Sequence, residues 1–271
     1  MAIATVQPRC CRRMGNTVDG LREARALLIV HAPMAATGRM LMTTGTTKTT
    51  RIELDSKSGA HIHGELALPA GEAKAPAVIV IQEWWGVNDH IRSLVSRFAE
   101  AGFIALAPDL YHGKTTKDGG EAAKLMGALD WKVAVEDVAG AVAYLEKHAR
   151  TNGKIGITGF CLGGAVALAA GAQLPALRAI VPFYGIPDAK TDFSKLNGAV
   201  LGHYAKKDQY IPPATAEALG ARLKEAGKTA EIKLYDADHA FVNDTRPEVY
   251  NAAEAKLAWD RTIAFLHAQL G

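Results

Sequence analysis

Alternation of apolar and polar residues first becomes regular at Thr50, and it predicts an antiparallel hairpin. Residues 50–54 and 61–68 each alternate, and a Ser-Lys-Ser-Gly segment lies between them. A period of two residues is typical of a strand with one buried face. Pro69 and Gly71 end the second segment.

The remainder of the chain alternates between apolar strand segments and longer helical segments. The strands are predicted at 77–82, 104–108, the first half of 154–170, 179–183, 199–204 and 230–235. The helices are predicted at 90–101, 119–127, 131–148, the second half of 154–170, 213–226 and 248–269. This alternation predicts an α/β protein with a mostly parallel sheet and helices on both faces.

The segment 154–170 contains a sharp turn from a strand to a helix. Residues 159–164 read Gly-Phe-Cys-Leu-Gly-Gly, which is the pattern of a nucleophile elbow with cysteine in place of serine. The glycines would let strand and helix approach closely. Cys161 would begin the helix, where free N–H groups and the helix dipole stabilise a thiolate. The alternative is a buried structural thiol.

Two later loops supply partners for this thiol. Asp208 follows the strand ending at Tyr204, and His239 follows the strand ending at Tyr235. The order nucleophile, acid, histidine is that of the α/β-hydrolase fold, and the ends of parallel strands meet at one sheet edge. His239 is therefore expected to take the thiol proton, and Asp208 to orient the imidazole.

Each partner also has an alternative interpretation. Asp208 could cap its own turn, and His239 alone would be an ordinary surface histidine. Asp236 and Asp238 are rival acids, but they are too close to His239 in the chain to reach behind its ring. The combined order and placement at strand ends favour a catalytic constellation.

Composition narrows the function class. The net charge of +3 over 271 residues does not indicate nucleic-acid binding. The sequence has no glycine-rich phosphate loop, and His61 and His63 lack a third metal ligand with obvious spacing. We therefore expect no cofactor, metal or membrane partner. The three cysteines form no disulfide framework and suit the cytoplasm, and a monomer is expected, with a dimer as the alternative.

Residues 1–48 differ from the rest of the chain. Five arginines precede a short apolar run at 26–30, which lies late for a signal peptide. We predict a disordered or non-native leader, with Met40 or Met42 as alternative starts; a transit-like extension is the other interpretation. Residues 49–271 are predicted to form a single domain.

Four motifs resemble the dienelactone hydrolase family, also named carboxymethylenebutenolidases, from Thr49 to the end of the chain. Residues 82–88 read Gln-Glu-Trp-Trp-Gly-Val-Asn, like the family's Q-E-x-x-G-x-N stretch. Residues 107–111 read Ala-Pro-Asp-Leu-Tyr. The cysteine elbow and the His-x-Phe sequence at 239–241 complete the set. The resemblance implies hydrolysis of a small ester or lactone through a thioester acyl-enzyme.

The resemblance also implies residue roles. Cys161, Asp208 and His239 would be the triad, and Glu83 a further catalytic carboxylate that substrate binding moves towards a neutral thiol. The N–H groups of Leu162 and Trp84 would form the oxyanion hole, which agrees with the usual donors of a nucleophile elbow. Glu83 directly follows an apolar strand, where an unpaired carboxylate is costly.

The expected substrate contacts are Trp85, Tyr111, Lys114, Phe160 and Asn243. Family members that act on dienelactone clamp its carboxylate with two arginines, at the places of Gly113 and Asn243. Lys114 beside the first place offers only a point charge, and Arg246 is a candidate replacement or a surface residue. A carboxylesterase for neutral esters is therefore an alternative, as is a non-catalytic binding or thiol-redox protein.

Overall fold

The structure is a computed structural model that describes residues 47–271, in which helices flank an eight-stranded sheet. The strands are β1 (Thr50–Asp55), β2 (His61–Ala67), β3 (Ala75–Ile81), β4 (Ile104–Pro108), β5 (Thr151–Phe160), β6 (Leu177–Phe183), β7 (Ala199–Ala205) and β8 (Ala230–Tyr235). The helices are α1 (Asp89–Glu100), α2 (Gly119–Gly127), α3 (Trp131–Lys147), α4 (Leu162–Gln173), α5 (Pro213–Glu225) and α6 (Ala252–Leu270).

The strands lie in the order β1-β2-β4-β3-β5-β6-β7-β8 across the sheet. β1 and β2 form the predicted antiparallel hairpin, in which Leu54 faces Ile62. β2 also pairs antiparallel with β4, and the strands from β4 to β8 are parallel. The predicted α/β fold, with a mostly parallel sheet and an N-terminal hairpin, is confirmed.

The central strand β3 shows why its sequence is continuously apolar. All of its residues are buried, and successive side chains point to opposite faces of the sheet. Ile79 and Ile81 belong to the core cluster that also contains residues of α3 and α4. Val78 and Val80 belong to the cluster on the other face, with residues of α1 and α6. Helices therefore cover both faces of the sheet.

The start of the last helix differs from the prediction. α6 begins at Ala252 and not near residue 248, because the side chain of Asn251 accepts a hydrogen bond from the N–H of Glu254 at 3.2 Å and caps the helix there. The predicted leader lies almost entirely outside the described residues. Within residues 47–271, no helix is long and apolar enough to cross a bilayer.

Candidate active site

Cys161 lies at the junction of β5 and α4 in a strained backbone conformation, with φ of +56° and ψ of −115°. Its N–H donates to the carbonyl of Phe183 at 3.0 Å. A Cβ on Gly159 would lie 2.1 Å from the carbonyl oxygen of Gly163, so strand and helix meet at a distance only glycine allows. Cys161 is partly exposed.

A cavity of about 420 Å³ opens above this turn. Its wall is mostly apolar and comes from segments that are far apart in the sequence. The lining residues are Glu83, Trp84, Trp85, Met126, Trp131, Cys161, Leu162, Ala165, Tyr184, Gly185, Ile186, Tyr210, Ile211, His239, Ala240, Arg246 and Val249. The cavity therefore lies at the carboxyl ends of the parallel strands, the edge expected for a site in such a sheet.

Asp208 uses its two carboxylate oxygens for two different tasks. Oδ2 accepts a hydrogen bond from Nδ1 of His239 at 2.7 Å. Oδ1 accepts from the N–H groups of Tyr210 and Ile211 at 2.8 and 2.9 Å. The residue thus caps its own turn and also orients the histidine. The hydrogen bonds expected from the two interpretations of Asp208 are therefore both present.

The rival acids do not contact the histidine in this way. Asp236 and Asp238 are exposed, and Asp236 pairs with Lys207 at 3.0 Å. Their side chains are therefore directed to solvent, whereas the carboxylate of Asp208 is fully buried behind the imidazole.

Electrostatics of the site centre on His239. Burial by itself lowers the pKa of His239, but hydrogen bonds to Asp208 and Cys161, together with the negative charges of both groups, raise the pKa to about 9. Since Nδ1 is bonded to Asp208, the other ring nitrogen, Nε2, is left for the thiol. The arrangement provides an imidazole that can accept the proton of Cys161.

Glu83 is a buried carboxylate in the cavity wall, with only 2% of its surface exposed. The hydroxyl of Tyr184 donates to Oε1 at 3.3 Å, and Nδ2 of Asn243 donates to Oε2 at 2.7 Å. Burial, followed by the charges of Glu83 and Cys161, raises the pKa of Tyr184 well above its usual value, so Tyr184 stays a neutral donor. Both carboxylate oxygens are therefore held by neutral groups.

Tyr184 is a site residue that the sequence analysis missed. Its φ is +37°, its N–H donates to the carbonyl of His203 at 2.8 Å, and its ring centre lies 4.9 Å from that of His239. Tyr184 directly follows β6, at the same sheet edge as Cys161. The strand-end argument used for Asp208 would have found it.

Other cavity residues carry no motif. Met126, Trp131, Ile186 and Tyr210 come from α2, the start of α3 and two loops. No pattern in the sequence connects these four positions with the elbow.

The predicted substrate contacts are only partly brought together. Trp85 lines the cavity, as do the two predicted oxyanion-hole residues. Lys114 is exposed and does not line it. Phe160, the last residue of β5, is buried in the core and stacks on Phe183 with ring centres 4.8 Å apart. Its predicted substrate contact is not supported.

Tyr111 and Asn243 also lie outside the cavity lining. Tyr111 is buried, and burial and the charge of Cys161 raise its pKa; its hydroxyl has no hydrogen-bond partner among the described residues. Asn243 contacts Glu83 instead. No group of three or more potential metal ligands occurs within residues 47–271, and His61 pairs with Asp55 at 2.8 Å.

The sheet order and the site at its carboxyl edge define an α/β-hydrolase fold. The sequence profile of the dienelactone hydrolase family matches residues 62–270. The chain belongs to the dienelactone hydrolase family.

Individual relatives agree with this assignment. Protein usf of Aquifex pyrophilus is 33% identical over 226 residues, which are 79% of this chain and 96% of the relative. A protein of Escherichia coli K12, provisionally named a carboxymethylenebutenolidase, is 36% identical over 204 residues, or 69% and 75% of the two chains. A Klebsiella pneumoniae crystal structure, provisionally named a dienelactone hydrolase, superposes with a TM-score of 0.73 at 32% identity, covering 81% and 98%.

Proposed function

We propose that this protein hydrolyses a small carboxylic ester or lactone with Cys161 as the nucleophile. The observation that carries the proposal is the shared cavity of Cys161 and His239, with His239 bonded to the buried Asp208 at 2.7 Å. A strained, partly exposed thiol at a helix N-terminus next to an imidazole is the geometry that nucleophilic acyl transfer needs.

In the first half-reaction His239 takes the proton of Cys161, and the thiolate attacks the carbonyl carbon of the substrate. The tetrahedral intermediate collapses, the bond to the leaving oxygen breaks, and the imidazolium protonates that oxygen. The product of this step is a thioester on Cys161. Asp208 stabilises the imidazolium throughout.

In the second half-reaction His239 takes a proton from water, and the resulting hydroxide attacks the thioester carbonyl. The intermediate collapses to the free carboxylic acid, and the proton returns to the departing sulfur. The N–H groups of Leu162 and Trp84, whose residues both line the cavity, would stabilise the negative oxygen in both halves.

Glu83 would act as a second base in this cycle. Its carboxylate lies in the cavity wall, and within residues 47–271 its side-chain hydrogen bonds come from two neutral donors, Tyr184 and Asn243. A substrate that displaced one of these hydrogen bonds would free the carboxylate to help remove the thiol proton.

The names of relatives support lactones as substrates. A Bradyrhizobium protein that is 34% identical over 221 residues is provisionally named a 2-oxo-3-(5-oxofuran-2-ylidene)propanoate lactonase. The mostly apolar cavity wall also favours a second candidate, a carboxylesterase acting on neutral esters. We place either reaction in the cytoplasm, where the thiol would stay reduced.

Trapping the acyl-enzyme tests the proposal directly. Mixing the protein with an activated ester and quenching should add the acyl mass to the peptide that contains Cys161, while Cys10 and Cys11 serve as internal thiol controls. The Cys161→Ala change should lower kcat by about 10⁴-fold. Full hydrolysis by Cys161→Ala would overturn the proposed nucleophile.

A further inference from the structure

Thr245 is an exposed residue in the loop between β8 and α6, the loop that also carries His239. Its hydroxyl donates a hydrogen bond to Oδ1 of Asn243 at 2.7 Å, and its backbone N–H donates to the same oxygen at 3.1 Å. Asn243 is only 1% exposed. A residue at the surface therefore controls the surroundings of a buried amide.

The two donors of Thr245 determine which way the amide of Asn243 faces. A backbone N–H can only donate, so the amide atom that faces Thr245 must be the oxygen. The nitrogen Nδ2 is then directed to the other side, where it donates to Oε2 of Glu83 at 2.7 Å. A reversed amide would set its N–H groups against the N–H of Thr245 and its oxygen against the carboxylate. The amide is therefore held as a donor to Glu83.

The main chain also fixes the position of Asn243. Its N–H donates to the carbonyl of Ala240 at 2.9 Å, and its own carbonyl accepts from the N–H of Arg246 at 3.1 Å. Ala240 directly follows His239 and has a φ of +63°, a conformation that is uncommon for alanine. One tight turn therefore presents both the imidazole and the amide that contacts Glu83.

The two hydrogen bonds to the carboxylate of Glu83 are unequal. Nδ2 of Asn243 lies 2.7 Å from Oε2, whereas the hydroxyl of Tyr184 lies 3.3 Å from Oε1. Because the longer hydrogen bond is the weaker one, a substrate that enters the cavity would displace the bond from Tyr184 first. Oε1 could then turn towards Cys161, which lines the same cavity, while Oε2 stays against Asn243.

We infer that Thr245 is a positioning residue for the proposed reaction: by fixing the amide of Asn243, it provides the contact about which the carboxylate of Glu83 turns towards Cys161. The inference rests on the proposed function, since Glu83 would be the second base of that reaction. Thr245 contacts no reacting atom and acts only through the amide. Without its hydroxyl, the amide keeps only the longer bond from the backbone N–H, so the contact weakens.

The rate of acylation tests the inference. In a stopped-flow experiment, excess 4-nitrophenyl butyrate should give a burst of 4-nitrophenol whose rate constant reports attack by the thiol. Thr245→Val is close in shape but cannot donate, so it should lower this rate constant by about 3–10-fold, as expected for one hydrogen bond between neutral groups. The half-saturating ester concentration should change by less than about twofold. Thr245→Ser restores the hydroxyl and should recover the wild-type rate.

A second background separates positioning of Glu83 from a merely structural role. In Glu83→Gln the proposed base is absent, so adding Thr245→Val should change the burst rate by less than about twofold. Thr229→Val makes the same change at an exposed threonine directly before β8, at the amino end of that strand, and should leave the rate unaffected. No loss in Thr245→Val, no recovery in Thr245→Ser, or an equal loss in the Glu83→Gln background would overturn the inference.

NMR of the Asn243 side chain tests the contact without any ester. The hydrogens on Nδ2 should exchange with water about 3–10-fold faster in Thr245→Val than in the wild type, and at the wild-type rate in Thr245→Ser. If the protein hydrolyses no ester but shows this difference, the proposed reaction is wrong and the control of Asn243 by Thr245 stands. Unchanged exchange in Thr245→Val would refute that control even if the ester is hydrolysed.

Discussion

The two ends of the candidate active site are built in opposite ways. The elbow end is closely packed: every residue of α4 from Leu162 to Ala172 is buried. The mouth, which we define as Met126, Trp131 and Tyr210, carries exposed apolar side chains, and α2 next to it buries only Ala122. The proposed nucleophile thus lies on a closely packed part of the fold, and the proposed substrate contacts lie on a part with few buried side chains.

Replacing a glycine by alanine is expected to give the largest difference in stability between the elbow end and the mouth. A Cβ on Gly163 would lie 2.5 Å from the carbonyl oxygens of Ile81 and Gln82, which are backbone atoms that cannot turn aside. Gly163→Ala should therefore lower the free energy of unfolding by about 3 kcal/mol or more and abolish activity. Urea unfolding followed by circular dichroism measures the first effect.

The matched change is Gly119→Ala at the start of α2, the helix next to the mouth, where nothing lies within 4 Å of the added Cβ. Its unfolding free energy should change by less than about 1 kcal/mol, since alanine suits a helix at least as well as glycine. If Gly163→Ala and Gly119→Ala lowered the free energy of unfolding by similar amounts, the closer packing of the elbow end would make no difference to stability.

Asp208→Asn is expected to have the next largest effect. The amide keeps an oxygen for the turn at Tyr210 and Ile211 but no longer offers a carboxylate to His239. We expect kcat to fall by about 10³-fold with little change in KM. NMR titration should also show the pKa of His239 falling from about 9 towards 6.5, because a supporting negative charge is lost.

The same histidine predicts how wild-type stability depends on pH. A pKa raised from 6.5 to about 9 stabilises the fold fully below pH 6.5, and this contribution is lost as the pH rises through 9. The free energy of unfolding should fall by ~1–3 kcal/mol over that window and by clearly less in Asp208→Asn. An identical pH dependence in both proteins would show that the Asp208 hydrogen bond does not control His239.

The elbow end of the site could be predicted from the sequence, whereas the mouth could not. Cys161, Asp208 and His239 each follow a strand of the parallel sheet, so their meeting at one edge could be inferred from chain order alone. The strands and helices were predictable because apolar periodicity reports burial directly. Tyr184 obeys the same strand-end rule and was missed only because no chemistry was expected of a tyrosine there.

The cavity wall could not be inferred in this way. Met126, Trp131 and Arg246 reach the cavity from α2, α3 and a loop, and their meeting depends on how these segments pack. Phe160 illustrates the reverse error: it adjoins Cys161 in the sequence, but its ring is buried in the core. Sequence neighbourhood was a reliable guide to the backbone of the elbow and a poor guide to the surface that a substrate contacts.

Trp131→Ala should give the smallest effect and the sharpest test of the mouth. The side chain is 44% exposed and lies at the first residue of α3, so its removal should cost less than about 1 kcal/mol of stability. Loss of apolar contact with a bound ester should raise KM by about two- to fivefold and leave kcat unchanged. Leu257→Ala, at a similarly exposed position of α6 (42%) outside the cavity lining, should alter neither constant. A fall in kcat for Trp131→Ala would show that the mouth takes part in positioning the reacting groups, and the division between a rigid chemical end and a tolerant selective end would then be wrong.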